Sequence, residues 1–532
     1  MEWLVVVLTF IGQQILNVPA YLIGIITAIG LIALRRTPGQ VVGGGLKAAL
    51  GFLILGAGAG VVVSSLDPLG KLILEVTGAQ GVIPTNEVIT ALAAEQYGAT
   101  SAYVLVLGFI VMLLLARFTP LKYIFLTGHH MVFMSLLLAV VLSVGFGEDL
   151  GWLVVIIGAL LLGVIMVVMP AFAHPWMKKI TGDDTIAMGH FGSAGYIAAG
   201  AVGQAVGRRS HSTERINFPQ GLGFLRDSMV ATALSMVLIY LVFAIWGLIA
   251  LPADTALPIL NAADGGAFIM AAIMNALLFG VGVAIILFGV RTVLGELVPA
   301  FQGIAEKVVP GARPALDVPI VFPFAANAVL IGFLTSFLGG LVSLALIAIW
   351  LGPAFGLALI LPGMVPHFFT GGGAGVFGNA TGGRIGAMVG GFVNGVLITI
   401  LPALLLLVLG ELGFANTTFG DADFGWFGTL IGVSLLGGPV MGVILTVVIG
   451  AVLVIAASLW QRRVVDTGWI PGARREEWLV EQETAERAMV TDAGTARTTG
   501  STGATGSTGI TGSTSTTVTD PETDTGRHAR RD

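Results

Sequence analysis

Residues 123–147 read YIFLTGHHMVFMSLLLAVVLSVGFG, an apolar run with two adjacent histidines, His129 and His130, near its beginning. No other ionisable side chain lies between Tyr123 and Gly147. A segment of about 20 apolar residues is long enough to cross a bilayer as a helix. A titratable side chain at that depth is costly unless it faces a partner or a water-filled cavity. The run therefore predicts a membrane protein with a polar solute pathway.

The composition of the whole chain also indicates an integral membrane protein. Of its 532 residues, 56% are hydrophobic and 10% are charged, and the mean hydropathy is +0.95. Soluble globular proteins carry far more charge. The formal net charge of −5, without a basic patch, argues against a nucleic-acid partner. The lack of cysteine excludes disulfides, thiolate metal sites and a cysteine nucleophile from this chain.

About eleven apolar segments have the length expected of membrane-spanning helices. They cover residues 18–33, 41–64, 101–116, 122–144, 152–169, 228–251, 267–290, 321–338, 341–361, 385–409 and 426–456. An odd count places the two termini on opposite sides of the membrane.

The distribution of charged residues between these segments predicts which terminus lies on which side. Lys and Arg collect in the cytoplasmic connections of membrane proteins. On this reading the cytoplasmic side carries Arg35, Arg36, Arg117, Lys122, Lys178, Lys179, Arg208, Arg209, Arg215, Arg226, Arg384, Arg462 and Arg463. The outer side carries Glu148, Asp149, Asp254, Asp264, Glu411, Asp421 and Asp423. The N-terminus is then outside and the C-terminus is in the cytoplasm.

Four segments mix proline, glycine and charges with short apolar pieces, at residues 67–98, 170–207, 299–323 and 362–383. Irregular backbone at membrane depth survives only where it is buried or lines a cavity, and paired breaks point to a transporter's binding site. Residues 51–85 and 295–319 share an order of helix, amphipathic stretch and polar break. This order predicts an internal repeat with Glu87 and Asp317 in corresponding places. Chance similarity between glycine-rich apolar stretches is the alternative.

The composition changes abruptly near residue 461. Residues 1–460 form the predicted membrane domain, residues 461–497 a charged cytoplasmic segment, and residues 498–532 a tail rich in Gly, Ser and Thr. Such a tail cannot bury a core and is expected to be disordered.

Titratable residues at the breaks are candidates for the pathway. Adjacent helical residues point about 100° apart, so His129 and His130 are not expected to face one solute; His129 is expected to line the cavity and His130 to pack. His190, Asp317 and Glu87 are further candidates. Their ordinary explanations are a loop histidine, a capping aspartate and a first-turn carboxylate.

No catalytic residue, cofactor or metal is predicted for this chain. The glycine-rich residues 370–375 lack the Lys-Ser/Thr of a phosphate-binding loop. Neither the spacing of the histidines nor a cluster of ligands favours a metal site.

Several motifs occur in order along residues 1–460. They are GIIT at 24–27, LRR at 34–36, LTGH at 126–129, MGH at 188–190, GVR at 289–291 with EL at 296–297, VPGA at 309–312 with Asp317, FAANAV at 324–329 and GVF at 375–377. This series resembles the ascorbate family of phosphotransferase-system (PTS) membrane subunits, the enzyme IIC (EIIC) permeases.

The resemblance implies an all-α membrane protein of eleven spans that forms a homodimer in the bacterial cell membrane. Each protomer would contain two inverted repeats, with a core domain that carries the sugar past a dimerisation domain. A separate cytosolic B subunit (EIIB) would donate phosphate from a cysteine, after being charged by an A subunit (EIIA). The absence of cysteine here agrees with that division of labour.

The resemblance also implies a set of substrate-binding positions. They map onto Asn86, Glu87, Val88, His129, Phe133, His190, Phe191 and Asp317. Three of them depart from the better-known members: Glu87 replaces a tyrosine, and Phe133 and Phe191 replace glutamines. Loss of two amide groups removes hydrogen bonds that a polyhydroxylated lactone needs, which can change specificity greatly.

These observations predict an EIIC permease subunit that translocates L-ascorbate, or a related sugar, sugar acid or polyol, for phosphorylation by the B subunit. An alternative is an ion- or proton-coupled secondary transporter of a small polar solute that uses His129, His190, Glu87 and Asp317 as titrating groups. A membrane sensor that has lost transport is a third.

Overall fold

The computed structural model describes residues 18–147, 150–207, 210–216 and 228–472. In chain order, helices α1 to α14 are Pro19–Ala33, Pro38–Thr77, Asn86–Phe118, Gly128–Phe146, Gly151–Thr181, Ser193–Val206, Ser228–Ala250, Ala253–Ile259, Gly265–Val308, Ala326–Leu346, Gly352–Phe355, Met364–Leu405, Ala422–Ser434 and Pro439–Trp460. Within these described ranges, eight helices are long and apolar enough to cross a membrane, and Ala20–Ala33 and Met236–Ala250 are shorter apolar helices. The chain is a mostly helical, multi-pass membrane protein.

The helix ends follow from local sequence. Proline stands in the first turn of α1, α2 and α14, where a backbone N–H is not needed for the helix. Thr37 and Gln40 form a reciprocal capping box at the start of α2. Gly78 ends the same helix in the left-handed conformation that suits glycine.

Six short strands, which the sequence analysis did not predict, form two parallel three-stranded sheets. In the first sheet, β1 (Gly81–Pro84) lies between β5 (Leu359–Ile360) and β6 (Thr417–Thr418). In the second, β4 (Arg313–Leu316) lies between β2 (Tyr123–Phe125) and β3 (Ala187–Met188). Strands of two to four residues are too short to show an alternating pattern. Because the strands are parallel, their carboxyl ends meet at one edge of each sheet.

Helix α12 reverses direction at Gly383, whose φ of 61° and ψ of −145° are essentially restricted to glycine. Positions at equal distance on either side of Gly383 pack against the same residues of α10. Gly375 and Gly391 both lie against Gly332, and Gly371 and Gly395 both lie against Ser336. A Cβ atom at any of these four positions would overlap its neighbours, so the glycines permit the close approach of two arms to α10.

The structure corrects several predicted spans. Segments 321–338 and 341–361 are not two spans, because one helix runs through Ala326–Phe355. The predicted break at 362–383 is mostly helical and forms the first arm of α12; its glycines serve helix packing. The predicted span 426–456 consists of two helices separated at Gly438, which has a positive φ of 85°. The described residues thus hold helices of unequal length, and the predicted total of about eleven spans stays a prediction.

The folded body continues past the predicted domain boundary at residue 460. The Tyr123 hydroxyl donates to Gln461, and Lys179 Nζ donates to the carbonyl oxygens of Pro471 and Gly472. Residues 461–472 therefore pack on the membrane domain. Predictions for residues 473–497, for the tail 498–532, and for Glu148, Asp149, Arg208, Arg209 and Arg226 concern parts of the chain outside the described residues.

Candidate functional site

Polar residues that follow the strands come together where the carboxyl edges of the two sheets meet. Asn86 Nδ2 donates to Asp421 Oδ2 at 3.0 Å, and His130 Nε2 lies 3.8 Å from the same oxygen. Asn86 and Asp421 follow β1 and β6 of the first sheet, whereas His130 follows β2 of the second. One cluster is therefore built from both sheets, in the manner of ligand sites at the carboxyl ends of parallel strands.

Asp317, which follows β4, faces two histidines of the second sheet. Its Oδ2 atom is 3.6 Å from His129 Nε2, and its Oδ1 atom is 3.8 Å from His190 Nε2. Asp317 Oδ1 also accepts the Val318 N–H at 2.8 Å and so caps the turn Val318–Phe324. The capping role considered from the sequence and the position in the cluster both hold for this residue.

Backbone amides orient two of the imidazole rings. The Phe191 N–H donates to His130 Nδ1 at 3.3 Å, and the Gly192 N–H donates to His190 Nδ1 at 3.0 Å. An Nδ1 atom that accepts a hydrogen bond carries no proton, so the proton of each neutral ring is on Nε2. We assign this tautomer to both histidines from these hydrogen bonds. The Nε2–H groups then point toward Asp421 and Asp317.

His130 takes a more central place than the sequence analysis expected. It is 2% exposed, and its ring centroid is 3.9 Å from that of His190. The His129 side chain is 33% exposed, with its ring centroid 4.7 Å from that of His130. Both histidines stand in the first turn of α4, and the structure brings them into one cluster. The expectation that only His129 faces the solute stays a prediction.

The structure also contains clusters with the donor types of a metal site, which the spacing in the sequence did not indicate. The side-chain donor atoms lie within 4.8 Å of one another in His129, His130 and Asp317, and again in His130, His190 and Asp421. A metal bound at Nε2 of His130 or His190 would leave the proton on Nδ1, where it would meet the backbone N–H groups. The donor arrangement therefore suits a hydroxyl-bearing ligand better than a metal ion.

The two phenylalanines that depart from the family pattern line one side of the imidazoles. The Phe133 ring lies 5.7 Å from His129 and 5.8 Å from His130. Phe191 stacks on Phe125 at 4.7 Å and lies 5.8 Å from His130. Together they present an apolar wall where glutamine side chains were expected to supply hydrogen bonds. Both rings are fully buried, so they enclose the imidazoles on this side.

The three candidates that follow β1 separate into different environments. Asn86 joins the cluster, and its Oδ1 atom accepts the Gly420 N–H at 2.7 Å. Glu87 is half-buried in the first turn of α3. Val88 is fully buried in an apolar core with residues of α2, α7 and α9, and it is not part of the polar cluster.

Asp421 and Asp423, which the sequence analysis placed among the charges on the outer side of the membrane, are buried inside the protein. Asp421 is 2% exposed and Asp423 is 0% exposed. The Asp423 carboxylate accepts the N–H groups of Ser193 and Ala194 at 2.9 and 3.0 Å, which caps the start of α6. Two aspartates set among aromatic and glycine residues, in FGDADFGW at 419–426, were the available signal. Tyr196, whose hydroxyl is 2.9 Å from His190 Nδ1, was also missed.

Comparison with known proteins agrees with the motifs. Residues 14–423 match the EIIC-GAT family, described as the sugar-specific permease component of the PTS. The ascorbate-specific PTS system EIIC component of Mycoplasma pneumoniae is 30% identical over 419 residues, which cover 71% of this chain. The match spans 63% of that relative, slightly less than two thirds of its length. With its membrane helices and a polar cluster at their centre, this chain belongs to the EIIC-GAT family of sugar-specific PTS permease components.

Proposed function

We propose that this protein translocates L-ascorbate, or a related sugar or sugar acid, for phosphorylation by a separate B subunit. One observation carries the proposal: residues that follow strands of both sheets converge on one cluster of imidazoles and carboxylates, which is buried at His130, His190 and Asp421 and partly exposed at His129 and Asp317. Hydrogen-bonding groups placed beside apolar walls are what a small polyhydroxylated ligand needs. The name of the Mycoplasma pneumoniae relative makes L-ascorbate the first substrate to test.

The partners in this proposal are a second copy of the chain and the cytosolic EIIB and EIIA subunits. Because the chain contains no cysteine, a phosphocysteine must come from another protein. The cytoplasmic side is proposed to hold the C-terminus, and the outer side the N-terminus. The substrate would then reach the cluster from outside and leave it toward the B subunit.

The decisive experiment is uptake of labelled ascorbate by cells that express this chain with candidate A and B subunits. The proposal expects the label to accumulate as ascorbate phosphate and to depend on the B subunit. Asp317→Ala should abolish uptake, whereas Asp254→Ala, at an exposed position outside the cluster, should leave it unchanged. Uptake of unmodified ascorbate without the B subunit would contradict the phosphotransferase mechanism.

The secondary-transporter alternative is not favoured, because the family match covers most of the chain. It makes a separate prediction: a protonophore would abolish uptake, and the B subunit would be unnecessary. The same cells therefore distinguish the two mechanisms.

A further inference from the structure

Asp421 and His130 form a pair for which the family motifs of the sequence analysis provide no role. Both side chains are 3% exposed, and their nearest atoms, Nε2 and Oδ2, are 3.8 Å apart. A direct hydrogen bond needs about 2.7–3.2 Å. A buried N–H donor normally has a partner. An oxygen atom beside the line that joins the two atoms can lie about 2.8 Å from both and bridge them.

The same spacing occurs twice more in the cluster. His129 and His190 face the two oxygens of Asp317 at 3.6 and 3.8 Å. Three imidazole–carboxylate pairs therefore share one geometry, although one includes a residue of the first sheet and two belong to the second. Neighbouring groups hold the pairs in place, since Asn86 donates to Asp421 and the backbone N–H groups of Phe191 and Gly192 donate to the Nδ1 atoms of His130 and His190.

The tautomers decide which kind of oxygen fits between His130 and Asp421. The Nε2–H group of His130 needs an acceptor, and Asp421 Oδ2, which already accepts one hydrogen bond from Asn86, has a second lone pair for another donor. A hydroxyl group does both, because it accepts through a lone pair and donates its own proton. A carboxylate or enolate oxygen of a ligand only accepts, so it would face the second lone pair of Asp421 without a proton between them.

We propose that His130 and Asp421 form a hydroxyl-binding subsite, and that among the substrates of the proposed function the three pairs together select a neutral polyhydroxylated compound over an anionic one such as ascorbate. This inference rests on the proposed function, because it names the substrate class of the same site. Asp421 is then a specificity-determining residue. The buried aromatic side chains of Phe133 and Phe191 pack against the imidazoles and make that side of the cluster apolar.

The test measures binding by the full-length protein in lipid nanodiscs. The probes are neutral five- and six-carbon alditols and aldoses, with L-ascorbate as the anionic probe, and the readouts are thermal shift and isothermal titration calorimetry. At least one neutral probe is expected to bind the wild type more tightly than ascorbate does. Asp421→Asn should weaken that binding at least tenfold, whereas Asp254→Asn, an exposed control, should not change it. The asparagine keeps an oxygen for Asn86, so the fold should be retained.

Two binding results would overturn the inference. One is a wild type that binds ascorbate alone, with Asp421→Asn binding it equally or more tightly. The other is a wild type that binds no neutral probe. If ascorbate uptake and phosphorylation are nevertheless observed, only the inference fails and the proposed function stands. If neither class of compound is taken up with the B subunit present, the proposed function fails.

A second measurement requires no substrate. A high-resolution map of the ligand-free protein in nanodiscs should show a water oxygen about 2.8 Å from both His130 Nε2 and Asp421 Oδ2, in the place of the ligand hydroxyl. A direct contact between the two side chains, with no oxygen between them, would contradict the subsite.

Discussion

Both ends of the strands in the second sheet carry histidine and aspartate side chains, which are in direct contact at the amino ends and farther apart at the carboxyl ends. At the amino edge, before β3 and β4, Arg313 Nη2 contacts Asp184 Oδ2 at 2.6 Å, and His174 Nε2 contacts Asp184 Oδ1 at 2.5 Å. Arg313 also lies over the ring of Tyr123, 5.7 Å from its centroid. Every charged group in this cluster has a direct partner.

At the carboxyl edge, His129 and His190 face Asp317 across 3.6 and 3.8 Å without a direct hydrogen bond. Histidine–aspartate pairs occur at both edges, but the separations at the carboxyl edge are more than 1 Å longer than the 2.5 Å between His174 and Asp184. The comparison teaches that the same pair of residue types can form a direct contact or an open one. The direct contact at the amino edge stabilises the fold, whereas the open pairs are the ones proposed above to bind a ligand oxygen.

The largest effect is expected from Asp317→Ala, since it removes the partner of two histidines. We expect uptake to fall by about 100-fold or more, because the two hydrogen bonds proposed between ligand hydroxyls and the Asp317 carboxylate would be lost. Uptake in cells and the thermal midpoint of the purified protein should be measured together. A variant that is folded and transports at the wild-type rate would show that the open pairs do not bind substrate.

Replacing either of the adjacent histidines is expected to have a smaller effect, and the two variants should differ in how much they change binding and how much they change stability. His130→Ala should weaken binding about tenfold and destabilise the fold by about 1–3 kcal/mol, because buried partners lose their hydrogen bonds. His129→Ala should reduce uptake with little loss of stability, since the His129 side chain is one-third exposed. Binding titrations and thermal unfolding of both variants provide the check. Equal stability losses would mean that burial does not distinguish them.

A substitution at the amino edge should change the stability of the protein and leave its affinity for sugar unchanged. Asp184→Asn is expected to destabilise the protein by about 1–2 kcal/mol, a value reduced for the 43% exposure of the side chain. Thermal unfolding should show the loss, while the dissociation constant of any bound sugar stays within about twofold of the wild-type value. A large change in affinity would mean that the two edges are coupled.

The smallest expected effect is a change with pH in the stability that the Asp184 carboxylate contributes. Burial raises the pKa of Asp184, but hydrogen bonds from Arg313 and His174 outweigh it and hold the pKa below its ordinary value of 3.8. The resulting stability is present above that value and is lost as the pH falls through the lower, folded-state pKa. The difference in thermal midpoint between wild type and Asp184→Asn should therefore be constant near neutral pH and shrink below about pH 4. A difference that grows in acid would contradict the assignment.

The sequence predicted the class of protein and much of the site, for identifiable reasons. Hydropathy revealed the membrane helices, and the ordered motifs around His129, His190 and Asp317 predicted the family, which the comparison confirms. Each of these signals lies within a short, local stretch. The assignment of individual residues to substrate binding stays a prediction.

What could not be predicted depends on contacts between distant parts of the chain. Asp421 was interpreted as an outer-loop residue, because nothing near it in sequence shows that it meets Asn86, 335 positions earlier. The six strands are too short to leave a pattern. The helical nature of residues 364–382 was hidden by glycines, which weaken a helix in isolation but permit packing against α10.

Gly383 has a consequence for the sidedness of the molecule. A straight helix of the 42 residues of α12 would be about 63 Å long, roughly twice the hydrocarbon thickness of a bilayer. The reversal divides it into two arms, each about the length of one crossing. The reversal brings the segments after α12 back to the end at which α12 begins, whereas a straight helix would carry them to its far end. A side chain at position 383 would disfavour this backbone conformation and with it the reversal.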